Sequence, residues 1–82
     1  MQYQISYWQL DGAEIYHPVI GQIDDEPVTE DELKTSAIGL AQKKAREYGE
    51  STMATYTDDG DLVQLTTYEM VSGHLHSDTL RV

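Results

Sequence analysis

Two carboxylate clusters carry most of the chemistry this chain could offer. Asp24-Asp25-Glu26 runs on to Glu30-Asp31-Glu32, and a second cluster comprises Asp58, Asp59 and Asp61 around Gly60. Oxygen-rich loops of this kind bind hard cations or attract basic partners. An EF-hand loop needs acids at positions one, three and five, glycine at six and glutamate at twelve, and Asp58-Asp59-Gly60-Asp61 does not follow that spacing. His74 and His76 fall on one side of an extended segment, and His17 would have to join them from another element to make a metal set. A solvated pair is the commoner meaning, so no metal site is assigned. There is no cysteine, no Gly-x-Ser-x-Gly, no phosphate-binding glycine loop and no His-Glu-x-x-His, which points away from an enzyme and from any cofactor.

The clusters also have local explanations. Acids in the first turn of a helix stabilise the positive end of its dipole, by about 0.3–1 kcal/mol each, and aspartates beside glycine are ordinary turn formers. The overall imbalance is harder to explain that way. Fifteen acids face five bases, for a formal net charge of −10. Lys34, Lys43, Lys44 and Arg46 all lie between Thr29 and Tyr48, which leaves Arg81 as the single base elsewhere. A surface so poor in cations repels nucleic acid and anionic lipid, and it attracts basic protein surfaces.

The elements that must position these groups can be read from patterning. Eighty-two residues make one domain, 1–82, because so short a chain buries only about 60–65% of its unfolded surface. Tyr3, Ile5 and Tyr7 alternate with Gln2, Gln4 and Ser6 as in a half-buried strand, with Trp8 and Leu10 on the other face. Asp11-Gly12 suits a two-residue type I′ turn into a second strand, Ala13 to Ile20, with Pro18 marking it as an edge or an interrupted ladder. Gly21 to Pro27 reads as loop. Thr29 and Glu32 form a capping box with Val28 and Leu33 as its hydrophobic staple, and Gly49 ends the helix. Leu33, Ala37, Leu40, Ala41, Ala45 and Tyr48 make one apolar stripe, with Ile38 beside it.

Ser51 to Thr57 and Leu62 to Tyr68 form a second hairpin around Asp58-Asp59-Gly60-Asp61. Val63, Leu65 and Thr67 are expected to meet the helix, which leaves Tyr56, Gln64, Thr66 and Tyr68 for the open face. The fold class is α+β: an antiparallel sheet of four to five strands with one helix on one face, in the order β-β-α-β-β. The fifth strand depends on whether Ser72-Gly73 turns the chain once more into a short final strand. The aromatic set of six tyrosines, one tryptophan and no phenylalanine suits half-buried positions and contact faces. No segment resembles a signal peptide or a membrane span, which together with the lack of cysteine suggests a cytoplasmic protein.

In size, acidity, lack of cysteine and β-β-α-β-β layout, the chain resembles the small inhibitors encoded by phages and mobile elements, especially anti-CRISPR proteins. The resemblance covers overall character and brings no motif or functional residue with it. It implies a non-catalytic DNA mimic, working in the host bacterial cytoplasm, that binds a CRISPR effector subunit and blocks a nucleic-acid channel or nuclease recruitment. On that reading Asp24, Asp25, Glu26, Asp58, Asp59 and Asp61 meet a basic protein surface, and Tyr56 and Tyr68 supply apolar anchors. The alternative is a structural or regulatory accessory domain, including a homodimer joined through exposed strand edges or the tyrosine face.

Overall fold

The computed structural model describes residues 1–19, 22–23, 26–27 and 29–82, with side chains described at 1–18 and 29–82. The elements follow as β1 (Gln2–Trp8), β2 (Glu14–Val19), β3 (Gln22–Ile23), β4 (Glu26–Pro27), α1 (Glu30–Tyr48), β5 (Glu50–Tyr56), β6 (Leu62–Val71) and β7 (His74–Arg81). Five strands form one sheet in the order β2-β1-β5-β6-β7, antiparallel at every pairing. The helix packs on one face, so the α+β class read from the sequence is the fold observed. β7 spans eight residues, longer than the short final strand expected. The stretch read as loop contains a small ladder, Gln22 opposite Pro27 and Ile23 opposite Glu26.

The helix forms where its caps place it. Thr29 Oγ1 accepts the Glu32 N–H at 3.2 Å, and the Gly49 N–H donates to the Ala45 carbonyl at 2.7 Å. Val28, the expected staple residue, lies outside the described residues. Leu33, Ala37, Ala41 and Ala45 are buried over Tyr3, Ile5, Met53 and Tyr68. Alanine on the helix lets it approach the sheet closely, and the larger side chains below fill the space. Ser51 Oγ donates to the Ala41 carbonyl in the buried interface, which ties β5 to the helix by a polar contact as well.

The turns differ from expectation in an orderly way. Gly12 donates its N–H to the Gln9 carbonyl at 3.0 Å and Gln9 donates to Ala13 at 2.8 Å, so the first loop is Leu10-Asp11-Gly12 and only Gly12 has positive φ, at 86°. This is a three-residue loop, a type I turn closed by a left-handed glycine. The β5–β6 connection repeats it, with Gly60 donating to Thr57 at 2.9 Å and Thr57 to Asp61 at 2.8 Å. The two-residue turn with both φ angles positive occurs instead at Ser72 (φ 51°) and Gly73 (φ 82°), which join Val71 to His74.

The facing of β6 is a second correction. Thr66 and Tyr68 are buried and point toward the helix, whereas Leu65 and Thr67 lie on the open side. Register fixes this, because Tyr68 stands opposite Ser51 and Thr66 opposite Met53, and opposed residues of an antiparallel pair share a face. An irregularity between Thr55 and Tyr56 leaves Val63 without a direct partner on β5. Aliphatic content alone favoured the wrong phase, because the alanine stripe calls for a large partner and Tyr68 fills that place.

A charged pole and a packed end

Chain direction gathers the acids. β5 runs back along the sheet from the C-terminal end of α1, so the β5–β6 turn returns to the helix N-terminus. The bonds there show the junction directly: the Met1 ammonium reaches Glu30 Oε1 and Asp58 Oδ1, each at 2.9 Å. Hydrogen bonds from Asp58 and then Glu30 hold that amine above its ordinary pKa of 8.0. Glu30, Asp31 and Glu32 of the first helical turn and Asp58, Asp59 and Asp61 of the hairpin therefore form one acidic pole, and all six are exposed. The helix dipole and the Met1 ammonium partly offset their mutual repulsion. Lys34 and Arg81, the last residue of β7, sit toward the same end of the fold.

Of the residues expected to bind a partner, Asp58, Asp59 and Asp61 lie in this pole. Asp24 and Asp25 lie outside the described residues, and Glu26 is described only as backbone of β4. Tyr56 is half-buried on the open face beside the turn, where Gln2, Tyr3, Gln4, Pro18, Tyr56 and Gly60 line a depression of 310 Å³. Tyr68 is not available to a partner, because its side chain is 5% exposed within the core. Burial, followed by the charges of Glu30 and Asp31, raises the Tyr3 phenol above its ordinary pKa. Burial likewise raises Tyr68.

The opposite end holds a constellation the sequence pattern did not single out. Tyr7 stacks on Tyr48 with ring centroids 4.8 Å apart and on His17 at 5.5 Å, and its hydroxyl lies 2.9 Å from His17 Nε2. Lys44 Nζ stands 5.3 Å from the Tyr7 ring centre and 5.8 Å from that of Tyr48, and it bridges Glu47 at 3.4 Å. Burial alone would lower the Lys44 pKa, but the Glu47 carboxylate and the two phenols outweigh it and raise the pKa. The signal was present in the sequence as His17 two residues from Ile15 in β2, and Lys44 one helical turn from Tyr48.

His17 is on β2, at the far edge of the sheet from β7, which carries His74 and His76, so the three imidazoles do not converge. Among the described residues no group of three or more potential metal-ligating side chains comes together. The open sheet face carries Trp8 and Tyr16, 60% and 55% exposed. The Glu14 carboxylate raises the Tyr16 phenol above its ordinary pKa. No helix among the described residues is long and apolar enough to cross a membrane.

No protein-family model matches the chain. No curated protein and no solved structure shows significant similarity to it either.

Proposed function

We propose that the chain is a non-catalytic protein-binding module that presents its acidic pole to a basic, nucleic-acid-binding protein surface and blocks it. The observation that supports this reading is the junction of the first helical turn with the β5–β6 turn at the Met1 ammonium. It concentrates carboxylates that are scattered along the sequence. Exposed ion pairs add little net affinity singly. A cluster of one sign, however, steers encounter and suppresses wrong partners. Tyr56 and the depression beside it supply the apolar contact such a surface needs to hold a partner once it arrives.

The partner class suggested by size, charge and layout is a subunit of a CRISPR effector. The test is competition: a purified effector is titrated with the protein while its binding to labelled target DNA is followed. The expected result is loss of DNA binding at low salt that weakens as salt rises. Joint replacement of Asp58, Asp59 and Asp61 by lysine should abolish it without unfolding the domain. Undiminished DNA binding at saturating protein, across a panel of effectors, would reject the inhibitor reading.

A further inference from the structure

The two edges of the sheet are protected unequally. β2 contains Pro18, which cannot donate to a neighbouring strand. β7 has no proline and no lysine, pairs with β6 residue by residue from His74 to Arg81, and is exposed along nearly its whole length. An unguarded edge of this kind is a template for another strand.

The turn and the pairing with β6 fix its hydrogen-bonding phase. In an antiparallel sheet, alternate residues turn their N–H and C=O toward opposite neighbours. Val82 donates to the Val63 carbonyl at 3.1 Å, and Val71 stands opposite His74 across the two-residue turn. His74, His76, Asp78 and Leu80 therefore direct their backbone groups to β6. Leu75, Ser77, Thr79 and Arg81 direct theirs outward, free to pair.

We propose that β7 pairs antiparallel with β7 of a second copy, centred on Ser77, to make a continuous sheet across a two-fold axis. Opposed residues of an antiparallel pair must share the same hydrogen-bonding phase, so only registers with one residue lying opposite itself are allowed. Centring on Asp78 sets that carboxylate against its own copy, which is destabilising. Centring on His76 pushes the Ser72-Gly73 turn into the ladder and shortens it. Centring on Ser77 pairs His74 to Leu80, more of β7 than centring on Thr79 allows, and sets His76 opposite the partner's Asp78, twice by symmetry. Leu75 then meets the partner's Thr79, and both exchange backbone hydrogen bonds, as does Ser77 with the partner's Ser77. His76 and Asp78 fall at non-hydrogen-bonded positions, where side chains approach most closely.

Charge gives this dimer a distinctive signature. Each copy carries a formal −10, so repulsion opposes association at low salt and added salt screens it. Binding of the acidic pole to a basic partner has the opposite salt dependence, and the two readings can fail separately.

Sedimentation equilibrium up to about 1 mM protein, at low and high salt, should show monomer passing to dimer, with association strengthened by salt. Ser77→Pro removes an outward N–H that β6 does not use. It should weaken association at least tenfold while leaving the circular dichroism and thermal unfolding of the monomer nearly unchanged. The chain has no cysteine, so Ser77→Cys should form a cross-linked dimer on oxidation, because opposed hydrogen-bonded positions lie about 5.5 Å apart between Cα atoms, within disulfide range. Thr79→Cys, displaced from its own copy along the ladder, should not. A monomer throughout at high salt, or cross-linking of Thr79→Cys as readily as Ser77→Cys, overturns the proposal.

Discussion

The two ends of the molecule use charge in opposite ways. At one end Lys44 is held against two tyrosine rings and a glutamate, and Tyr7 beneath it is 5% exposed, so the charge is part of the packing. At the other end Glu30 and Asp58 share the Met1 ammonium with side chains 65% and 85% exposed, and their neighbours Asp31, Asp59 and Asp61 face water. A charge held by rings and carbon stems stabilises the fold. A charge left in water contributes little to stability and is available for recognition. The difference separates charge that is part of the packing from charge that faces water.

Alkaline pH is the broadest way to break this comparison, because it acts on both ends. Tyr3, Tyr68 and Lys44 all have folded pKa values raised above their ordinary ones. The unfolded chain therefore loses these protons first. Their contribution is fully present below pH 10, the ordinary phenol value, and is lost as pH rises through the folded values. Unfolding followed by phenolate absorbance should become cooperative above that point.

Tyr7→Ala, at the packed end, should cost about 3–5 kcal/mol in urea denaturation, as large aromatic truncations do in a core. A cost below about 1 kcal/mol would mean that the ring stack does not hold this end together. Thr29→Ala removes the helix cap next to the acidic pole and should cost about 1 kcal/mol, with unchanged denaturant slope. Lys44→Met keeps most of the stem and removes the charge. It should lower the thermal midpoint slightly and make the alkaline transition shallower. Asp59→Asn with Asp61→Asn should move thermal stability by no more than about 0.5 kcal/mol in either direction. A larger loss there would show that the pole is structural after all.

The layout was legible because its local signals agree: alternation in Tyr3, Ile5 and Tyr7, the Thr29 and Gly49 caps, and glycine at each hairpin. The facing of β6 was not, because its aliphatic residues and its tyrosine occupy opposite phases, and only the register with Ser51 and Met53 decides between them. Turn types were exchanged for a similar reason. Asp-Gly fits both a two-residue turn and the end of a three-residue loop, and the position of the pairing around it selects one. The pole could be guessed as composition but not as geometry, because Glu30 and Asp58 are distant in sequence and meet only after β5 reverses the chain. The Tyr7 cluster draws one residue from each of β1 and β2 and three from α1, so no single window contains it.

The uneven placement of charge has a consequence that does not depend on contact. Six exposed carboxylates drawn from two turns raise the local concentration of cations around the β5–β6 turn. At physiological ionic strength that field fades within about 8 Å. Its influence on an approaching basic body would therefore be strongest at short range and at low salt.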